Sequence, residues 1–114
     1  MDKHATSRRE TIRRLNDLFR RFGIGNGRVT FTLGIHDQGL GFTGDVIDAV
    51  RDFDAFDRDN DPHGEHDFGA LTVDGQRILF KIDYYDLDLQ GHSPDAADPD
   101  VTHRVLTIML ASEY

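Results

Sequence analysis

The chain has 114 residues, no cysteine and a formal net charge of −8, so disulfides, thiolate zinc sites, iron–sulfur clusters and cysteine nucleophiles are excluded. No apolar stretch approaches the roughly 20 residues that span a bilayer, and the polar start does not resemble a secretory signal. With 38% hydrophobic and 30% charged residues, we expect one globular domain over residues 1–114, in the cytoplasm and without membrane contact.

The first predicted element is a basic amphipathic helix over residues 7–23. Ser7 and Glu10 have the spacing of a capping box, and Gly23 ends the helix. Between them, apolar residues recur every three or four positions, with arginines on the opposite face: Ile12, Leu15, Leu18, Phe19 and Phe22.

The net charge changes sign after this helix. Residues 1–28 carry 8 basic and 3 acidic side chains, whereas residues 29–114 carry 5 basic and 18 acidic ones, so the two parts have net charges of +5 and −13. A basic helix and an acidic body, residues 29–114, either attract each other or meet different partners.

A strand, a loop and a second helix are predicted next. Residues 28–35 alternate between apolar and polar side chains, which indicates a strand with one buried face. That face would consist of Val29, Phe31, Leu33 and Ile35. Three glycines make residues 36–44 a predicted loop, and a helix then runs to about Phe56. The polar residues 57–65 predict an exposed loop.

The strongest local signal is Asp74-Gly75, which predicts a two-residue turn between two strands. The turn fixes the register across the hairpin: Val73 with Gln76, Leu71 with Ile78, Phe68 with Lys81, and His66 with Asp83. One face of the hairpin should then belong to the core: Leu71, Val73, Ile78, Phe80 and Ile82.

The chain ends in a predicted third helix. Asp98 is a candidate N-cap with Pro99 at the first helical position, and residues from Val101 onward are apolar nearly all round. The predicted fold class is α+β, in the order αβαββα. We expect a three-stranded sheet that includes the hairpin, with the helices mainly on one face.

Three segments together resemble a family of small bacterial proteins catalogued as a domain of unknown function. They are NDPHGEHDFG from Asn60, FKIDYYD from Phe80 and RVLTIML from Arg104. Members of that family look like accessory genes of plasmids and prophages. The resemblance therefore implies a role in the conflict between mobile DNA and host defence, and it implies no activity and no catalytic residues.

One candidate site is catalytic. The hairpin register places His66 opposite Asp83 and near Lys81, where a carboxylate would orient an imidazole that acts as a general base. This arrangement predicts a small hydrolase or metal-dependent enzyme, centred on His66 and Asp83, as the runner-up function. The alternative interpretation is a polar cross-strand pair on a solvated sheet face.

A second candidate site would bind metal. Asp57, Asp59 and Asp61 imitate the opening of a calcium loop, but Pro62 and Phe68 occupy its essential glycine and glutamate positions. A transition metal could instead be held by His63, His66 and Asp67. The alternative interpretation is a solvated acidic loop, and we predict no metal and no cofactor.

Two further patterns point to phosphate binding. Gly39, Gly41 and Gly44 form a literal G-x-G-x-x-G, and Arg9, Arg13 and Arg20 align on the first helix. Neighbouring aspartates oppose nucleotide binding, and the acidic body opposes direct binding of nucleic acid. We therefore interpret the glycines as a loop that needs positive φ and the arginines as a solvated face.

The leading hypothesis is a non-enzymatic protein that binds another macromolecule through its acidic surface. Regularly spaced carboxylates can imitate a phosphate backbone and occupy a protein surface that grips DNA. The predicted partner-binding residues are Asp57, Asp59, Asp61, Glu65, Asp67, Asp83, Asp86 and Asp88. The partner would be a nucleic-acid-binding complex, such as a CRISPR or restriction complex that the protein inhibits as a counter-defence factor. A regulatory domain without that role is the other alternative.

Overall fold

The computed structural model of the protein describes residues 3–114, and the side chains of residues 8–114. Its helices are α1 (Lys3–Phe22), α2 (Leu33–His36) and α3 (Leu40–Asp52), and its strands are β1 (Gly27–Phe31), β2 (Phe68–Val73), β3 (Gln76–Tyr85) and β4 (His103–Leu110). One-turn 3-10 helices span Pro99–Val101 and Ala111–Glu113. No helix in the described part of the chain is long and apolar enough to cross a membrane.

The four strands form one sheet in the order β1-β4-β3-β2, in which β1 is parallel to β4 and the other pairs are antiparallel. Helices α1 and α3 cover one face of this sheet, and the core lies between these helices and the sheet. It is built from Phe19, Ile35, Val46, Val50, Val73, Ile78, Phe80, Ile82, Leu106 and Ile108. The predicted α+β class is therefore confirmed, whereas the predicted three strands and αβαββα order are wrong.

The main error in the predicted order is the last helix, which is strand β4. Asp98 does cap a helix, because its side chain accepts a hydrogen bond from the backbone N–H of Asp100 at 2.9 Å, but that helix is a single 3-10 turn. β4 lies inside the sheet, and it buries Val105 and Met109 on one face and Leu106 and Ile108 on the other. A strand buried on both faces is apolar throughout, so its pattern does not distinguish it from a buried helix.

The predictions between residues 7 and 44 also need correction. Helix α1 begins at Lys3, so Ser7 lies within it and is not its N-cap. β1 ends at Phe31, and Leu33, which was predicted to be buried, is exposed in α2. The predicted loop over residues 36–44 contains the first turn of α3, which starts directly after Gly39 with φ of 94°. The G-x-G-x-x-G pattern thus belongs mostly to a helix.

The hairpin is confirmed. Phe68 pairs with Lys81, Leu71 with Ile78 and Val73 with Gln76. Asp74 and Gly75 have φ of 51° and 77°, the positive values at both central positions that a type I′ turn requires. The face predicted for the core is also correct: Val73, Ile78, Phe80 and Ile82 are buried, and Leu71 packs against them.

Candidate functional site

Helix α1 buries two polar side chains against the sheet. Asn16 is 0% exposed and Arg20 is 2% exposed, one helical turn apart. They share the buried face of α1 with Ile12 and Phe19, whereas Phe22, which was predicted to be buried, is exposed. The prediction that the arginines face solvent is therefore wrong for Arg20, which is also not available to a phosphate.

Asn16 joins α1 to the sheet and to the loop that precedes β2. Its Nδ2 donates to the Tyr84 hydroxyl at 2.8 Å and to the Glu65 carbonyl at 3.0 Å. Its Oδ1 accepts from Nε of Arg104 at 2.7 Å, and Nη2 of Arg104 donates to the Ala96 carbonyl at 2.6 Å. Asn16 thus uses both ends of its amide to bind three other segments, and Arg104 extends the network to a fourth.

Tyr84 extends this network to a carboxylate. Its hydroxyl donates to Oε1 of Glu65 at 2.8 Å while it accepts from Asn16. Burial raises the pKa of the Tyr84 hydroxyl above its ordinary value, so the hydroxyl stays protonated and remains a donor. The Arg104 guanidinium lies 5.2 Å from the centroid of the Tyr84 ring, which adds a cation–π contact.

Arg20 caps the C-terminal end of α3. Its Nη1 donates to the carbonyls of Val50 at 2.7 Å and Phe53 at 2.8 Å, and its Nη2 donates to Oδ1 of Asp17 at 3.2 Å. The last carbonyls of a helix lack intrahelical donors, and a cation there also matches the helix dipole. Arg20 therefore fixes α1 against α3, while burial lowers the pKa of its guanidinium.

His66 lies between two carboxylates. Its Nδ1 contacts Oδ1 of Asp17 at 2.9 Å, and its Nε2 lies 3.9 Å from Oδ2 of Asp61. The Phe56 ring stacks on the imidazole with a centroid distance of 3.9 Å and an interplanar angle of 5°. Because both ring nitrogens face carboxylates and one ring face is covered, the arrangement holds the loop before β2 onto α1.

The predicted pair of His66 and Asp83 does not form. β2 begins at Phe68, and His66 has φ of 58°, so the hairpin register does not extend to it. Asp83 lies on the sheet face away from the helices, where its Oδ2 is 3.0 Å from Nζ of Lys81. The hydrogen bond that the Lys81 ammonium donates to Asp83 raises the pKa of Lys81. The residues predicted for catalysis are thus divided between two environments.

The predicted partner-binding carboxylates differ in exposure. Asp57, Asp59 and Asp88 are exposed, Glu65, Asp67, Asp83 and Asp86 are half-buried, and Asp61 is 8% exposed. Asp61 accepts hydrogen bonds from the backbone N–H groups of Glu65 at 3.0 Å and His66 at 3.1 Å, so it stabilises the loop. The prediction that residues 57–65 form an exposed loop is wrong at Asp61.

The predicted metal ligands do not converge. Among the described side chains, those of residues 8–114, no group of three histidines, aspartates or glutamates could hold a metal ion. His66 is held by Asp17, whereas His63 lines a polar cleft of about 300 Å³ with Arg8, Arg9 and Glu65. Arg8 also pairs with Asp95 at 3.0 Å, so the basic helix and the acidic body do contact each other.

Asp67 provides a test of the electrostatics near this cleft. Burial raises its pKa, and the Glu65 carboxylate raises it further. The ionised form is thus less stable in the folded chain than in the unfolded chain. This penalty is present above the folded pKa and is absent below the ordinary value of 3.8.

We therefore expect Asp67→Asn to raise the free energy of unfolding at about pH 7, with a gain that shrinks as the pH falls towards 3.8. Urea denaturation at several pH values measures this difference. Asp45→Asn, at an exposed position of α3, is the matched control and should show no such dependence. A variant less stable than the native chain at neutral pH would contradict the argument.

Comparison with known proteins places the chain in a family. The model of the family described as protein of unknown function (DUF3768) matches residues 31–113. The chain belongs to the DUF3768 family. No curated protein and no solved structure matches it. The DUF3768 match begins at the end of β1, so Asn16, Asp17 and Arg20 lie outside it, although the side chains they hold lie within it.

Proposed function

We propose that this protein is a non-enzymatic binding protein that docks an acidic surface onto a basic surface of another macromolecule. The observation that carries the proposal is the contact between its two acidic segments. The Tyr84 hydroxyl bonds the Glu65 carboxylate at 2.8 Å, and the backbone N–H of Ile82 bonds the Asp67 carbonyl at 2.8 Å. The loop before β2 and the end of β3 are therefore joined.

We call this surface the acidic edge and define it by Asp57, Asp59, Glu65, Asp67, Asp83, Asp86 and Asp88. Residues 54–67 carry 6 acidic side chains and 1 basic one, and residues 83–100 carry 6 acidic side chains and no basic one. Such a concentration of one sign produces a field that attracts a basic surface before contact. The negative charge of the acidic edge therefore favours a partner whose own surface is rich in arginine and lysine.

Part of this charge is used within the chain. Arg8 pairs with Asp95, and Lys81 pairs with Asp83. The exposed carboxylates of Asp59 and Asp88 have no ion pair among the described residues, and they should carry most of the electrostatic attraction to a partner.

The finer proposal is a counter-defence factor. Basic surfaces that bind phosphate backbones are the natural targets of an acidic surface. The likeness to accessory proteins of plasmids and prophages favours a CRISPR or restriction complex as the target. The protein would then inhibit that complex by excluding its nucleic acid.

A pull-down with matched charge variants tests the proposal. The tagged protein is mixed with lysate of a host that carries CRISPR and restriction systems, at about 0.1 M and about 0.5 M NaCl, and bound proteins are identified by mass spectrometry. We expect one nucleic-acid-handling complex at low salt and its loss at high salt. The double variant Asp59→Lys/Asp88→Lys should not recover the complex at either salt concentration.

The matched control is Asp45→Lys/Asp48→Lys, which makes the same charge change at two exposed positions of α3. It should retain the complex, because α3 is not part of the acidic edge. If both double variants lose the complex equally, net charge and not this surface is responsible. If no complex is recovered in either salt, the proposed function is wrong, and a regulatory role or a catalytic role of His66 becomes the better hypothesis.

A further inference from the structure

Strand β1 is an edge of the sheet with free backbone groups. The backbone N–H of Arg104 bonds the Asn26 carbonyl at 3.0 Å, and the N–H of Thr32 bonds the Ile108 carbonyl at 3.1 Å. Asn26 and Thr32 are both even-numbered, and in a parallel pair alternate residues direct their backbone N–H and C=O groups to the same side. The even-numbered residues of β1 therefore bond β4, and the N–H and C=O groups of the odd-numbered residues point outwards. The N–H and C=O of Val29 therefore face away from β4, without a partner among the described residues.

An apolar cavity adjoins this edge. It has a volume of about 70 Å³ and opens between β1 and α3. Its walls consist of Val29, Phe31, Ile47, Val50, Leu106 and Ile108, together with Arg20 and Arg51. Because side chains alternate along a strand, a chain added beside β1 would direct every second side chain towards this cavity.

Arg20, one of the residues that line the cavity, has an unused donor. Its guanidinium is 2% exposed, and its Nε is buried without a hydrogen-bond partner in the part of the chain that the structure describes. A buried donor without an acceptor is unfavourable by about 1–3 kcal/mol. Arg20 is thus a buried cation with an unsatisfied donor among the residues that line the cavity.

Exposed apolar side chains are concentrated in the part of the sequence that contains β1. Among the described residues, five of the eight large hydrophobic side chains with high exposure come from residues 22–40: Phe22, Ile24, Val29, Leu33 and Leu40. Soluble monomers seldom concentrate exposed apolar side chains beside an unprotected edge strand, because such an edge pairs with other chains.

The charge at this edge differs from that of the rest of the protein. Residues 18–35 contain three arginines and no acidic residue, in a chain whose net charge is −8. Arg28 is exposed on β1, and Arg51, not its neighbours Asp48 or Asp52, is the charged residue of α3 that lines the cavity. A second copy of this chain would bring the same positive charges together, whereas an acidic segment would be attracted.

We propose that an extended acidic segment of a partner protein adds to β1 as a fifth strand. Its backbone would pair with the free groups of Val29, and one apolar side chain would enter the cavity. Its alternate side chains, the carboxylates, would lie on the opposite face of the sheet beside Arg28. This mode gives affinity through backbone hydrogen bonds and specificity through alternate side chains. The surface is separate from the acidic edge, and its test does not depend on the function proposed above.

Two synthetic peptides test this inference on the full chain. Each has about six residues, the usual length of a strand, with valine alternating with glutamate in one and with lysine in the other. Fluorescence anisotropy of the labelled peptides measures binding. We expect saturable binding of the glutamate peptide and at least about tenfold weaker binding of the lysine peptide.

Two variants locate the binding site. Val29→Pro removes the outward N–H, which proline can do on an edge strand without breaking the ladder to β4, and it should abolish binding. Arg28→Glu should weaken binding of the glutamate peptide by about tenfold and strengthen binding of the lysine peptide. Arg77→Glu, an exposed arginine that contacts Thr72 of the opposite edge strand β2, is the matched control and should bind as the native chain does.

Circular dichroism shows whether each variant is folded, and Arg28→Glu provides the test if Val29→Pro is unfolded. Equal affinity for both peptides, no binding of either, or native affinity in both variants would overturn the inference. Sedimentation velocity tests the alternative occupant of β1, which is a second copy of this chain. A dimer of the native chain that is lost in Val29→Pro would mean that a second copy occupies β1, and would overturn the acidic partner.

Discussion

Replacing Asn16 by alanine should lower the free energy of unfolding by about 3 kcal/mol. Asn16 is 0% exposed, and its amide donates to Glu65 and Tyr84 and accepts from Arg104. Its loss would leave the buried Arg104 Nε without an acceptor and the Glu65 carbonyl without this donor. Removing one partner of a buried charge costs much more free energy than the intact pair contributes to stability.

Urea denaturation measures this effect. The slope of the unfolding free energy against urea concentration should be the same in the variant and the native chain. The matched control is Asn26→Ala, because Asn26 is exposed and donates one bond to Pro99, so a loss below about 1 kcal/mol is expected. Asn16→Asp should recover part of the loss, since its carboxylate can still accept from Arg104. A loss of less than about 1 kcal/mol in Asn16→Ala would mean that the network does not hold α1 to the sheet.

The sequence predicts local structure well where one short signal decides it. Asp74-Gly75 requires positive φ at two consecutive positions, and this requirement determines the turn and the pairing from Val73 back to Phe68. The same register fails at His66, because β2 begins two residues later and the chain turns there with positive φ. Register is reliable only within the strand, and the sequence does not show where the strand begins.

The buried polar network was missed for a different reason. Asn16 and Arg20 occur four residues apart on the same face of α1 as Ile12 and Phe19, so their positions were visible in the helical spacing. We expected arginines to face solvent, and the carbonyls that bind Arg20 come from α3, about 30 residues later. A polar residue within an apolar stripe was the available signal, whereas its partners depend on the tertiary fold.

The contact of His66 with Asp17 shows the same limit. Both residues are polar and 49 positions apart, and no periodic pattern connects them. The predicted pair of His66 with Asp83 is wrong, because the carboxylate that contacts His66 comes from α1 and not from β3. This change alters the functional interpretation, because Asp17 also binds Arg20 and so belongs to a structural contact between two helices.

Arg20→Met should be as destabilising as Asn16→Ala, with a loss of about 3 kcal/mol. It would remove the donors to the carbonyls of Val50 and Phe53 and leave the C-terminal end of α3 uncapped beneath α1. It would also remove the cation that lies 5.2 Å from the Phe56 ring centroid. Hydrogen bonds to a charged group are worth about 1.5–3 kcal/mol each, and several are lost together.

Arg21→Met is the matched control, since Arg21 is the exposed neighbour on the same helix and its loss should change stability by less than about 0.5 kcal/mol. Arg20→Lys keeps the charge, but it should recover less than half of the loss, because a lysine cannot reach two α3 carbonyls and Asp17 in the fixed geometry of a guanidinium. Recovery of full stability in Arg20→Lys would mean that charge alone, and not the planar set of donors, joins α1 to α3.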